Sequence, residues 1–300
     1  AMDFIDQVFD SHITKRTDNP KIEYEKLASK MEIATSQKHT VVKEDCGSFD
    51  IMPESEAERL GKRKIYNSKI DLAIVSFSGG KDSQVVLDLV SRVIPPEKYY
   101  VIYSDTGYEL PTSLSLYEEV KAKYKKEYPN LNFYTAKNHQ HVLYYWDELD
   151  TPSKIHRWCC AVMKTAPLYR LLKELSQLGK QPNVLAFEGV RAEESSTRAT
   201  YARIGRGVKH GNVVNVRPIF EWSVTEVWLY ILLHNLPINK AYRKGLNRVG
   251  CVICPLSSEL GDCLDHKFFP ETSQPFIDKL RENASKAGIK GIETYLKERK

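Results

Sequence analysis

From Asp71 onward the chain alternates short, nearly continuous apolar runs with longer stretches whose apolar residues recur every three or four positions. Runs of the first kind suit strands buried on both faces, and their alternation with helical periods predicts a parallel sheet covered by helices. The expected strands are Leu72–Phe77, Tyr99–Ser104, Asn132–Ala136, Val184–Glu188 and Val213–Arg217. Helices are expected over Ser83–Val93, Pro111–Tyr128, His141–Trp146, Cys160–Leu175 and Val224–His234. The predicted fold class is therefore α/β, an open, mostly parallel sheet with helices on both faces. It occupies residues 67–256, behind an N-terminal helical extension over residues 1–66 and ahead of a C-terminal helical segment over residues 257–300. The extension carries helical patterns at Phe4–Phe9 and Tyr24–Met31, then a stretch with no clear period through Cys46 and Pro53, then a third helical pattern at Glu54–Leu60. The last segment carries helical patterns at Pro275–Ala284 and from Ile289 on.

Composition narrows the class only a little. With 300 residues, 42% hydrophobic and 28% charged, the chain is long enough to bury one large core with appendages. No apolar run approaches the ~18 residues of a membrane helix, so no membrane partner is expected. The start, Asp3-Phe-Ile-Asp-Gln-Val-Phe-Asp10, is acidic and amphipathic, unlike a signal peptide, which predicts a cytoplasmic setting. A formal charge of +5 admits nucleic acid or anionic substrates and requires neither. Six cysteines in a cytosolic chain, four of them in two close pairs, read as metal ligands or redox groups rather than disulfides, with Cys46 a solitary thiol.

The chemistry gathers where predicted strands end. After the first comes Ser76-Phe-Ser78-Gly79-Gly80-Lys81-Asp82-Ser83. Adjacent glycines let the backbone turn sharply so that amide N–H groups converge on phosphate oxygens at the positive end of the next helix. Lys81 adds a cation, and Ser83 is read as the helix cap. The glycine spacing is not that of a Walker A loop. After the second strand, Asp105-Thr-Gly107-Tyr-Glu109 sets a carboxylate where it could hold Mg²⁺ or a hydroxyl. After the fourth, Gly189-Val-Arg191 and Arg198 suit phosphate contact, and the acid-free run from Arg198 to His210 reads as a loop for an anionic ligand or nucleic-acid backbone. Cys159-Cys160 and Cys251-Val-Ile-Cys254 supply four thiolates for a [4Fe–4S] cluster or, less favoured, a tetrahedral zinc. Lys164 falls one helical turn after Cys160, and Cys263 is either a substitute ligand or a nucleophile.

Together the phosphate loop, the Asp105 motif, Cys159-Cys160-x-x-x-Lys164-x-x-Pro167, Gly189-x-Arg191-x-x-Glu194-Ser195-x-x-Arg198 and Cys251-x-x-Cys254 resemble the phosphoadenosine-phosphosulfate reductase family, within the PP-loop ATP pyrophosphatase superfamily, over about residues 70–256. The resemblance implies a [4Fe–4S] cluster on the four cysteines, Lys164 between cluster and substrate, and Arg191 on a nucleotide. Sulfonucleotide reductases usually lack the Gly-Gly-Lys loop and carry a catalytic cysteine in a C-terminal tail, whereas here the loop is complete and the last residues hold no cysteine. That combination is similar to the DndC/SspD type of DNA phosphorothioation protein. It implies an ATP pyrophosphatase using Mg²⁺, in which Lys81, Asp82, Asp105, Lys164 and Arg191 are catalytic and Ser76, Ser78–Ser83, Asp105, Gly189, Arg191 and Arg198 hold ATP. DNA would be the acceptor, a cysteine desulfurase the sulfur donor, and other DNA-modification subunits the partners. A sulfonucleotide reductase, a tRNA-thiolating enzyme, and a non-enzymatic ATP-sensing or nucleic-acid-binding subunit are the alternatives.

Overall fold

The computed structural model describes residues 1–13, 39–43, 49–53, 70–206 and 212–288. The helical patterns at Tyr24–Met31, Glu54–Leu60 and from Ile289 on, together with Cys46 and residues 207–211, lie outside that set. The chain divides into two compact units, Ala1–Val8 with Ile70–Lys300 in one and Phe9–Lys69 in the other. Helix α1 (Met2–Ile13) starts in the first unit. The second holds an antiparallel hairpin of β1 (His39–Lys43) and β2 (Phe49–Pro53), in register from His39 opposite Pro53 to Lys43 opposite Phe49. The sequence gives no period there, because two five-residue strands are too short to show one.

The large unit is a six-stranded sheet. In chain order it comprises β3 (Leu72–Phe77), α2 (Lys81–Val93), β4 (Tyr100–Asp105), α3 (Pro111–Glu127), β5 (Asn132–Lys137), α4 (Val142–Leu149), α5 (Ala166–Ser176), β6 (Val184–Phe187), β7 (Ile204–Arg206), β8 (Val213–Val216), α6 (Val224–Leu233), α7 (Glu259–Phe268) and α8 (Pro270–Lys286). Strand order is β5-β4-β3-β6-β8-β7, parallel throughout except for β7, which pairs antiparallel with β8 at the edge. All five predicted strands form, with ends moved by about one residue.

Alternation across the pleat assigns each face. Leu72 and Ile74 of β3, Ile102 of β4 and Ala136 of β5 pack with Leu172 of α5. On the opposite face the ring of Tyr103 stacks on Tyr117 of α3 at 4.5 Å between centroids, with Phe77 and Phe133 beside it. Helices thus cover both faces. Among the described residues no helix is long and apolar enough to cross a membrane.

The expected Cys160–Leu175 helix is two pieces: a π-helical turn over Cys160–Thr165, then α5. Pro167 brings no N–H to the ladder and crowds the carbonyl four residues earlier. The backbone widens in response, with the Ala166 N–H reaching the Ala161 carbonyl and the Thr165 hydroxyl donating to the Cys160 carbonyl at 3.1 Å. π-Bulges of this kind recur at functional sites.

Candidate active site

The strand order reverses at β3: the chain fills β4 and β5 on one side, then returns to place β6 on the other. Open parallel sheets bind ligands in the crevice at the carboxyl ends of the strands, where the order switches. The loop after β3 and the loop after β6 meet there.

Gly79 sits at φ +72°, a conformation that favours glycine, and carries the backbone into Gly80, the N-cap of α2. Gly80 offers no side chain to cap this helix. The expectation that Ser83 does so is corrected: Ser83 lies inside the first turn and closes the loop from within. Its hydroxyl donates to the Gly80 carbonyl at 2.9 Å and accepts from the Ser78 N–H at 3.2 Å. The positive end of α2 therefore carries no side-chain cap from its N-cap residue, and the Tyr242 hydroxyl accepts its Lys81 N–H.

Asp82 ties the two loops together. One of its oxygens accepts from Lys81 Nζ at 3.0 Å and the other from Arg191 Nε at 2.6 Å. Both cations are nearly excluded from water, Lys81 at 8% and Arg191 at 3% exposure. The Arg191 N–H donates to the Glu194 carboxylate at 2.9 Å, and its guanidinium also reaches the Trp222 carbonyl and Glu193. Gly189 makes the approach possible. A Cβ there would stand 2.6 Å from the Asp82 carbonyl carbon and 2.8 Å from the Ser83 nitrogen, closer than atoms can pack. Arg198 lies on the same loop, paired with Glu194.

Two residues at this site were not picked out from the sequence. The Asn239 amide donates to the Gly79 carbonyl at 3.3 Å and to Ser113 Oγ at 3.0 Å, and the Tyr242 hydroxyl accepts the Lys81 N–H at 2.9 Å. Asn239 does show a local signal, since it caps the 3₁₀ turn Lys240–Lys244 through the Ala241 N–H. Nothing local connects that turn to a loop so far back in the chain.

At the end of β4, Asp105 pairs with Lys137 at 2.7 Å and accepts the Gly107 N–H at 3.0 Å. It lines a cavity of about 200 Å³ with Glu109, Lys137, Asn138, His141 and Met163. Burial raises the Glu109 carboxyl, and hydrogen bonds from the Thr106 N–H (2.9 Å) and hydroxyl (2.7 Å) oppose that shift.

The two cysteine pairs come together beside this cavity. Glu109 and Cys251 form an antiparallel bridge, the Val252 N–H donates to the Tyr108 carbonyl at 2.7 Å, and Cys251 Sγ lies 3.7 Å from the Thr106 hydroxyl. Cys159 and Cys251 pack against the same cluster, built on Tyr108, Trp146, Met163 and Phe276. The Cys159 thiol is held strongly upward in pKa by its hydrogen bond with Cys160, then by burial and the charges of Cys160, Cys251 and Cys254. Ile253, between the second pair, occupies φ +54°, a costly conformation for a β-branched residue. Cys263 lies exposed on α7. Among the described residues no three His, Cys, Asp or Glu side chains are arranged to hold a metal ion.

Lys164 acts on both neighbourhoods, opposing the burial that raises the pKa of Cys251 and of Glu188, whose carboxylate at the end of β6 pairs with Arg217 at 2.8 Å. Burial still pushes the Cys251 thiol up to about 11, with Glu109 adding to the rise. Only the thiolate is nucleophilic. In metal-free protein, Cys251 alkylation by iodoacetamide is therefore expected to climb about tenfold per pH unit without levelling below pH 11. A plateau near the ~8.5 of an unperturbed thiol would contradict this environment.

The model of the "Phosphoadenosine phosphosulfate reductase domain" family matches residues 73–257. An uncharacterized protein of Methanocaldococcus jannaschii is 35% identical over 220 residues, 72% of this chain and 43% of that protein. A second from the same organism is 33% identical over 69% of this chain and 47% of its own length, so the chain spans less than half of these two relatives. An adenosine 5′-phosphosulfate reductase of Shouchella clausii is 28% identical over 60% of this chain and 70% of that protein. The crystal structure of a phosphoadenylyl-sulfate reductase from Candida auris in complex with phosphate superposes with a TM-score of 0.44 at 20% identity, covering 60% of this chain and 80% of that one. With the strand-end loops, Gly-x-Arg turn and paired cysteines all inside the matched span, the chain belongs to the phosphoadenosine phosphosulfate reductase domain family.

Proposed function

We propose that the protein is an ATP pyrophosphatase that adenylates a DNA backbone phosphate so that sulfur can replace one of its oxygens, working in the cytoplasm with a cysteine desulfurase and further DNA-modification subunits. The observation that carries this reading is the buried Lys81–Asp82–Arg191 bridge in the first turn of a helix whose N-cap residue is a glycine. Two cations share one carboxylate there, where the loop after β3 could cradle a triphosphate.

In this mechanism the β- and γ-phosphates of ATP lie in the Ser78–Ser83 loop, and Asp82 or Asp105 would hold the Mg²⁺, which would offset the phosphate charge. A nonbridging oxygen of the DNA phosphate attacks the α-phosphorus. Lys81 and Arg191 stabilise the charge that develops as the bond to pyrophosphate breaks. The outer sulfur of a persulfide then attacks the DNA phosphorus, AMP leaves with the oxygen that joined them, and a second thiol cleaves the S–S bond, leaving the sulfur on the DNA phosphate and a disulfide behind. Cys159, Cys160, Cys251 and Cys254 fit a [4Fe–4S] cluster by donor chemistry, being four thiols from two segments whose charges are felt at Cys159. Bound there, the cluster would supply thiolate-held iron for sulfur or electron transfer. Lys164, lying between those thiols and Glu188, would orient an anion arriving from the loop.

The curated relatives favour one other reading, a sulfonucleotide reductase, because several are named adenosine 5′-phosphosulfate reductases. One assay on anaerobically purified protein separates the two. Conversion of ATP to AMP and pyrophosphate, stimulated by DNA and accompanied by about four irons per chain, is the expected result. Sulfite released from adenosine 5′-phosphosulfate and a thiol reductant, with no pyrophosphate from ATP, would overturn it.

A further inference from the structure

The sequence directs an anionic chain to the basic run that begins at Arg198, but Arg198 and Arg203 of that run are already engaged. Arg198 is paired with Glu194, while Arg203 lies 3.9 Å from the Phe4 ring and donates to the Pro218 carbonyl. Cations without a carboxylate partner stand instead on another segment, one of them, Lys244, lying 4.7 Å from the Phe268 ring. From Val227 to Ser258 the chain carries no Asp or Glu, and within it Lys240, Arg243, Lys244 and Arg248 are all exposed. None of the four forms an ion pair among the described residues.

Three of these cations ride on the single 3₁₀ turn Lys240–Lys244. On such a turn residues three apart lie one above the other, roughly 6 Å along the axis, so Lys240 and Arg243 form a row. The turn is fastened to the phosphate loop itself by Asn239 on the Gly79 carbonyl and Tyr242 on the Lys81 N–H. Arg248 is near enough to Tyr242 to oppose the rise in its pKa. A row of solvated cations beside a phosphate-binding loop suits a polymer of phosphates better than a single small anion, which the buried Lys81 and Arg191 could already neutralise.

We propose that Lys240, Arg243, Lys244 and Arg248 form a seat for a nucleic-acid backbone, laying one phosphodiester strand across the rim of the Ser78–Ser83 loop. This rests on the reading of a nucleic-acid acceptor given above, and it assigns that acceptor to a surface other than the Arg198–His210 run.

The test uses the full chain and a variant carrying Lys240→Gln, Arg243→Gln and Lys244→Gln, none of which touches the Lys81–Asp82–Arg191 bridge. Binding of a fluorescein-labelled 20-nucleotide single strand is followed by anisotropy across a potassium chloride series, with duplex DNA and an RNA hairpin as parallel probes. Each neutralised phosphate contributes about 0.7 to the salt slope for a single strand. The variant is expected to lose roughly 2 units of slope and at least tenfold in affinity at low salt. Equal binding by variant and parent, or no binding of any probe by the parent, overturns the proposal. So does displacement of the labelled strand by polyglutamate as readily as by unlabelled DNA, which would mark the row as a seat for an acidic protein. Pyrophosphate release from ATP in the presence of nucleic acid is measured alongside. If it is absent while binding still follows the row, the proposed reaction falls and the seat stands.

Discussion

Replacing Gly189 by alanine is expected to break the site and loosen the fold together. The new methyl would meet backbone, the Asp82 carbonyl and the Ser83 nitrogen at 2.6–2.8 Å, so no side-chain rotation can relieve it. Either the loop after β6 or the first turn of α2 must move. Overpacking of this kind typically costs about 1–3 kcal/mol, and Arg191, two residues on, would lose its 2.6 Å contact with Asp82. For a chain of this size the melting temperature should fall by roughly 2–5 °C. The stabilisation that added ATP gives the parent should disappear in the variant, because ligand stabilisation scales with affinity. Melting curves with and without magnesium ATP read both effects. A variant that melts and responds to ATP like the parent would mean the two loops do not meet as described.

Lys81→Met is expected to have the largest effect on turnover. Methionine keeps an apolar stem near the Tyr242 ring, which lies 5.8 Å from the lysine nitrogen, and removes only the charge. Asp82 retains Arg191, so no carboxylate is left unpaired and folding should change little. Removing one preorganised group from a developing charge usually costs about 10²–10³ in rate. Pyrophosphate release should therefore fall by that factor, with the melting temperature within a degree or two of the parent. An unchanged rate would remove Lys81 from the chemistry.

The sheet was legible because its strands are short apolar runs between helical periods, and that signal survives without tertiary information. Beyond the β1–β2 hairpin, three features around the sheet and its site were not legible, each for a different reason. Strand β7 lies in a basic, glycine-broken stretch with no alternation, and it is held by the Arg217 N–H on the Arg203 carbonyl and the Arg217 guanidinium on the Ala202 carbonyl. The π-helical turn depends on Pro167 together with a hydroxyl that can reach back to Cys160. Asn239 and Tyr242 act on the phosphate loop through contacts that exist only once the chain has folded back over it. The motif residues, by contrast, were visible as strand-end glycines and charges. Their sharing was not: Lys81, Asp82 and Arg191 look like three independent groups in the sequence and are one bridge in the fold.

The position of β3 has a consequence for how the molecule is made. This strand is apolar on both faces and takes β4 as one neighbour soon after it, but its other neighbour, β6, follows a loop in which Asn183 returns to Asp71 over a separation of 112 residues. At synthesis rates of about 5–20 residues per second, one edge of β3 waits on the order of 5–20 s at the ribosome before β6 can cover it. Over that interval the nascent chain presents an unpaired hydrophobic edge, a template for pairing with another chain. Yield of soluble protein should therefore depend on growth temperature and chaperone supply during expression more steeply than the stability of the finished sheet would suggest.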